Sequence, residues 1–225
     1  YKKIDKIFCG FPKTQDFFEE KKAIFSGNLI NLDVKKVEKK NLRFNELDIK
    51  IMGGSLGAKL INKTVPKVFS KLSEDFPDFK FILSHQCGRG NLEETKSYYD
   101  SCKTSFDLKL FEFVENMENF YSNADLVISR AGALSVSEIC ETQNIAIFIP
   151  LKNSIDNHQY ENAKFLAEKN SAFICEEDFM EENLKNILFE IIKNPEILEN
   201  MKKNIAKVSL TDKKNIIVKN ILSNE

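Results

Sequence analysis

The alternation of apolar and polar positions changes character near residue 48. From there on, short apolar runs alternate with amphipathic stretches, the rhythm of strand and crossover helix that builds a parallel sheet. The runs predict strands at 47–52, 80–84, 109–113, 126–129, 145–149 and 172–175. Helical spacing predicts helices at 58–75, 92–101, 117–122, 134–142, 157–169, 181–193 and 195–208, with a last amphipathic segment at 212–222. In the first helix Leu60, Ile61, Val65, Val68, Phe69 and Leu72 recur with helical spacing. Pro66 inside it predicts a kink, because proline lacks an amide hydrogen and its ring crowds the preceding turn.

Residues 1–40 read differently. Two short apolar runs, 6–9 and 23–26, lie around Gly10, Pro12 and Gly27, and no long helix is predicted. This is the pattern expected of the trailing end of a preceding domain, and Tyr1 in place of Met suggests a fragment. The charge- and Asn-rich stretch 35–45 reads as a linker, so the chain divides into 1–40 and a principal domain at 41–225. No internal repeat or low-complexity tract interrupts it.

Composition narrows the function classes. At 225 residues the chain can bury a substantial core without staples. Its 33 basic and 34 acidic side chains nearly cancel, so no global field gathers nucleic acid, and any phosphate binding must be local. Cys9, Cys87, Cys102, Cys140 and Cys175 are odd in number and scattered without a CxxC pair, which argues against a disulfide framework or a zinc site and fits a reducing cytoplasm. No apolar run approaches the ~20 residues that span a bilayer. The two histidines, His85 and His158, have no Glu or Cys at ligand spacing beside them, so no metal site is expected.

Three blocks carry candidate chemistry. Gly53-Gly54-Ser55-Leu56-Gly57-Ala58 falls between a predicted strand and a long helix, where glycines let the backbone approach a ligand and the helix presents unpaired N–H groups suited to a diphosphate. It fits neither the Walker nor the dinucleotide spacing, and a turn that merely permits tight packing explains it about as well. The second block is Ser129-Arg130-Ala131-Gly132-Ala133-Leu134-Ser135-Val136-Ser137-Glu138. Glu138 there suits a pair of ribose hydroxyls, but Ser135 three residues ahead of it also fits a capping box, and spacing alone favours the cap. The third is Asp156-Asn157-His158-Gln159-Tyr160-Glu161-Asn162-Ala163, whose amide and imidazole groups suit sugar hydroxyls, or whose Asp156 simply caps a helix. All three sit at the C-terminal ends of predicted parallel strands, the edge where open α/β sheets bind ligands. Gly53–Ala58 is not GxSxG, so a serine hydrolase does not fit.

These blocks, together with His85-Gln86-Cys87-Gly88-Arg89-Gly90 and Ala124-Asp125, resemble in order and near-family spacing the MurG family of peptidoglycan N-acetylglucosaminyltransferases, glycosyltransferase family 28. The resemblance spans essentially the whole chain. It implies an α/β fold, a Rossmann-like parallel sheet with helices on both faces, forming the C-terminal half of a two-domain GT-B arrangement. Residues 1–40 would then be the tail of the acceptor domain with the linker, 41–225 the UDP-sugar-binding domain, and the last helix would pack back on the acceptor domain. It implies inverting transfer of N-acetylglucosamine from UDP to undecaprenyl-pyrophosphoryl-N-acetylmuramyl-pentapeptide without metal or cofactor, at the cytoplasmic face of the bacterial inner membrane.

Carried over by position, Gly54, Ser55 and Gly57 would meet the diphosphate, and Phe113 and Val114 the uracil edge. Ala133, Leu134 and Ser135 would contact the phosphate and ribose region, Glu138 the ribose, and His158 and Gln159 the N-acetylglucosamine. Gly27-Asn28-Leu29-Ile30-Asn31 lacks the Arg the family usually carries, and Arg130 is the substitute source of charge. The family's Gly-rich acceptor loop with its His has no match here, so the catalytic base is expected outside this chain, and the chain alone is expected to bind donor without turnover. The alternatives are a donor-binding subunit of a split glycosyltransferase, a UDP-sugar epimerase, or a non-catalytic nucleotide-binding module.

Overall fold

The computed structural model describes residues 4–19, 21–102, 106–208 and 213–222. In chain order the strands are β1 (Ile7–Cys9), β2 (Ala23–Phe25), β3 (Glu46–Met52), β4 (Lys80–Gln86), β5 (Asp107–Phe111), β6 (Leu126–Ser129), β7 (Ala146–Phe148) and β8 (Ala172–Ile174). The helices are α1 (Lys59–Asp75), α2 (Leu92–Asp100), α3 (Met117–Tyr121), α4 (Ala133–Glu141), α5 (His158–Ala167), α6 (Met180–Lys193), α7 (Glu196–Ile205) and α8 (Lys213–Leu222). The start predicted for the last helix, Asp212, lies outside the described residues.

Strands β3 to β8 form one parallel sheet in the order β5-β4-β3-β6-β7-β8. Counting outward from β3 this is the doubly wound order, in which the direction of winding reverses between β3 and β6 and opens a crevice beyond their C-terminal ends. The central strands read as nearly continuous apolar runs because both faces are covered: Ile49, Ile51, Leu83, Leu126, Ile128 and Ile147 are all fully buried. Helix α1 lays Ile61, Val65, Val68, Phe69 and Leu72 into that core, every one of them without exposed surface. α1 runs unbroken through Pro66, the position of the predicted kink, and Pro66 is buried. Packing of the surrounding face outweighs the loss of one backbone hydrogen bond.

The register is level across the sheet. Phe111 pairs with Gln86, Gln86 with Met52, Met52 with Ser129, Ser129 with Phe148 and Phe148 with Ile174, so all six strands end on one cross-strand row. Strand β5 stops at Phe111, two residues earlier than predicted, because its partner β4 ends opposite at Gln86. Phe113 and Val114 therefore lie in the loop beyond the row.

Strands β1 and β2 form a separate parallel pair. The unit leans on the principal domain through Phe11 stacked edge-on against Phe165 at 5.4 Å and through Asn28 Nδ2 donating to Ser137 Oγ at 2.9 Å. The stretch predicted as a linker, together with Asp33 just before it, is stitched along α3 and the N-terminal side of β3, β6 and β7. Asp33 N donates to Glu118 Oε1, Glu38 N to Ser122 Oγ and Lys39 Nζ to Asn144 Oδ1, while Lys40 lies between Asp48 and Asp125 at 3.5 and 3.4 Å. Its charged residues are anchors here, which composition alone does not distinguish from solvated ones.

Candidate functional site

The loops that follow the level row of strand ends hold all three sequence blocks. Adjacent strands in a sheet lie about 4.8 Å apart, so the bends after Met52 and Ser129 begin as immediate neighbours at the winding reversal. Each bend leads into a helix whose N-terminus has no side-chain cap: α1 after Ala58 and α4 after Gly132. The capping-box reading of Ser135 and Glu138 is thereby corrected. The helix begins at Ala133, which places Ser135 in its first turn instead of at the cap, and Gly132 contributes only backbone. Helix α5 follows Asn157 in the left-handed region (φ 55°), and its Gln159 backbone amide donates to Ser154 Oγ at 3.4 Å, so Asp156, itself at φ 49°, is not the cap that its sequence position suggests. Uncapped first-turn N–H groups and the positive end of the helix dipole are a standing demand for an anion.

The glycine bend is shaped by its neighbours as much as by any ligand. Gly57 has φ +74° and Gly88 φ +91°, and a Cβ on Gly57 would stand 1.9 Å from the carbonyl oxygen of Cys87. These two backbones touch, so the Gly57 position is fixed by packing against the loop after β4. Gly54 at φ +83° has open space around its Cα, and Ser55 beside it is exposed. Gln86 holds the bend in place by donating its amide to the carbonyls of Gly54 and Glu112, both at 3.0 Å, which ties the loop after β3 to the loop after β5.

Beneath this bend lies a neutral buried histidine. Asn62 donates Nδ2 to the Cys87 carbonyl at 2.9 Å, so its Oδ1 faces His85 Nε2 at 3.1 Å as an acceptor. Nε2 must then carry the proton, and Nδ1 accepts from the Tyr99 hydroxyl at 3.0 Å. Burial pushes the imidazole down to about 3. His85 thus supports the loop without lining the crevice.

Gly54, Ser55, Phe113 and Val114 do come together, with Met52, Gln86, Met117 and Phe120, around a cavity of about 90 Å³. Its walls are mostly apolar, and the Arg89 guanidinium lies 5.4 Å over the exposed Phe113 ring. On the other side of the reversal, Ala133 and Leu134 are exposed at the start of α4, with Ser135 half-buried. Glu138 is also half-buried, and its Oε2 accepts from the Tyr121 hydroxyl at 3.1 Å. Burial raises the Glu138 carboxyl above its ordinary range, and the Tyr121 bond acts in the opposite direction.

One strand further on, His158 is exposed at the start of α5, and Gln159 uses its amide oxygen to accept from Leu151 N at 3.0 Å. Asn162 ties this helix to the second bend by donating to the Ala131 carbonyl at 3.1 Å. Arg130 departs from expectation. Its guanidinium is committed to Glu177 Oε1 at 2.6 Å and to the Ile149 carbonyl at 3.1 Å, with both charged side chains largely buried, so its charge is already neutralised. Neither Tyr121 nor the role of Gln86 has a local signal in the sequence, because each acts on a residue at least 17 positions away. Among the described residues no His, Cys, Asp and Glu side chains gather as a metal site requires, and no helix is long and apolar enough to cross a membrane.

Residues 49–218 match the glycosyltransferase family 28 C-terminal domain. The chain is 34% identical over 207 residues to the UDP-N-acetylglucosamine–N-acetylmuramyl-(pentapeptide) pyrophosphoryl-undecaprenol N-acetylglucosamine transferase of Acinetobacter baumannii, covering 88% of this chain and 55% of that protein. It is 35% identical over 220 residues to the protein of the same name from Rickettsia bellii, covering 91% and 61%. Among solved structures, the crystal structure of A. baumannii MurG superposes with a TM-score of 0.71 at 34% identity, over 79% of this chain and 50% of that one. The chain thus spans little more than half the length of these relatives. With the doubly wound sheet, the two uncapped helices at its reversal and a family match running from β3 into α8, the chain belongs to glycosyltransferase family 28, whose C-terminal domain it carries.

Proposed function

We propose that this chain is the donor-binding part of a MurG-type enzyme that transfers N-acetylglucosamine from UDP-N-acetylglucosamine to undecaprenyl-pyrophosphoryl-N-acetylmuramyl-pentapeptide. The observation that carries the reading is that two helices without side-chain caps follow the neighbouring ends of β3 and β6 at the winding reversal. A diphosphate placed between them accepts hydrogen bonds from the Gly54–Ser55 bend and from the first-turn amides of Ala133, Leu134 and Ser135. The uracil enters the small cavity beside Phe113 and Val114, Glu138 takes the ribose hydroxyls, and His158 and Gln159 face the sugar.

In the reaction the acceptor 4-hydroxyl oxygen forms a bond to the anomeric carbon as the bond from that carbon to the β-phosphate oxygen breaks. UDP departs with the electron pair, and the hydroxyl proton passes to a base. In this reading the amides of the two bends stabilise the charge that the departing diphosphate gains, and one preorganised donor of this kind contributes about 3 kcal/mol. The base, the acceptor site and contact with the cytoplasmic face of the inner membrane belong, in this reading, to the part of the relatives that this chain does not span. Residues 1–40 are then the end of the acceptor domain, and 41–225 the donor domain.

Calorimetric titration with UDP, UDP-N-acetylglucosamine and ADP tests this. Uridine ligands are expected to bind more tightly than ADP, and Ser55→Ala and Glu138→Ala each to weaken UDP by about tenfold, the loss of a hydrogen bond to a charged group. Unchanged UDP affinity in both variants sinks the site.

A further inference from the structure

The Tyr121 hydroxyl is placed where two different acceptors compete for its one proton. It lies 3.4 Å from Met52 Sδ, at the last residue of β3, and 3.1 Å from Glu138 Oε2, in the second turn of α4. A carboxylate is a far better acceptor than a thioether, so the proton goes to Glu138. The phenol itself has nowhere to move. Tyr121 is fully buried, its ring meets Phe120 edge-on at 6.1 Å, and its carbonyl accepts from Asn144 Nδ2 at 3.3 Å. A half-exposed glutamate with three rotatable bonds is thereby fixed by a donor that belongs to the core.

We propose that Tyr121 is a positioning residue that presents the Glu138 carboxylate to a vicinal diol, and so sets selectivity for a nucleotide with an intact ribose. This rests on the donor-site reading above. Two neighbouring hydroxyls need both acceptor positions of one carboxylate held in a single orientation, and a carboxylate held beforehand does not lose its rotamer freedom on binding. A ligand lacking the hydroxyls gains nothing from that orientation. Tyr121 therefore acts on the discrimination between ligands and not on binding as a whole.

The experiment compares UDP with 2′,3′-dideoxy-UDP by calorimetry on the full chain, on Tyr121→Phe, on Glu138→Gln and on the double variant, each shown to be folded by its thermal transition. Tyr121→Phe keeps the ring and removes one oxygen. It is expected to weaken UDP by up to about tenfold, the cost of ordering one rotamer-rich side chain on binding, while the dideoxy ligand stays within about twofold. Glu138→Gln is expected to abolish the same preference, and adding Tyr121→Phe to it to change the ratio no further. A parallel loss for both ligands in Tyr121→Phe means that the residue only fills the core, and overturns the proposal, as does a further drop in the ratio in the double variant. If the unsubstituted chain binds no UDP, the donor-site reading itself falls. If it binds UDP and Tyr121→Phe leaves the ratio unchanged, only the role of Tyr121 falls.

Discussion

A Cβ placed on Gly57 would stand 1.9 Å from the carbonyl oxygen of Cys87, so the turn after β3 and the turn after β4 are in direct backbone contact. The same glycine-rich block therefore holds two glycines of different kinds. Gly57 is required by its neighbour, whereas Gly54 has φ +83° and no atom within 4 Å of an added Cβ.

Gly57→Ala is accordingly expected to destabilise the chain by about 3 kcal/mol, since the left-handed backbone and the backbone clash act together. Gly54→Ala meets only the conformational cost, about 1 kcal/mol. Urea unfolding of the two variants checks this, and equal losses would contradict the close approach.

His85 predicts a dependence on pH. Its folded value is held at about 3 by burial, whereas in the unfolded chain it titrates near 6.5. As pH falls below the unfolded value, only the unfolded chain takes up the proton. The stabilisation present above about pH 6.5 is thus lost toward the folded value, at about 1.4 kcal/mol per pH unit. His85→Gln should be less stable at pH 7 but flatter between pH 6.5 and 5, measured by urea midpoints. An identical slope in both proteins would mean that His85 is accessible to protons in the folded state.

Arg130 and Glu177 make a third test. With a 2.6 Å ion pair, a second bond to Ile149 and both side chains about 15% exposed, Arg130 is a structural tie between the loops after β6, β7 and β8. Arg130→Ala is expected to lower stability by about 2 kcal/mol, because it leaves Glu177 unpaired in a largely dry place. Its effect on UDP affinity should stay within about twofold, as a charge already neutralised adds little field at the crevice. A tenfold loss of affinity at unchanged stability would return Arg130 to the binding site.

The alternation of apolar runs with amphipathic stretches determined by itself that this chain builds a parallel sheet with crossover helices, because strand and helix periods are local properties of the chain. It likewise located the three blocks that follow the strand ends, two of them through the glycines of a strand-to-helix bend, which is a local signal. Tertiary structure decided what local spacing could not. Ser135 and Glu138 have the offset of a cap, but the helix start at Ala133 puts them in its first and second turns, and Glu138 finds its partner in Tyr121, 17 residues earlier. Pro66 has no amide hydrogen for the helix ladder, yet α1 continues through it on a packed face. Arg130 has the charge for a phosphate, but Glu177 reaches it first. Each of these outcomes depends on an energy between residues far apart in sequence, and the level ends of β3 and β6 that bring the two bends together exist only once the strands have paired.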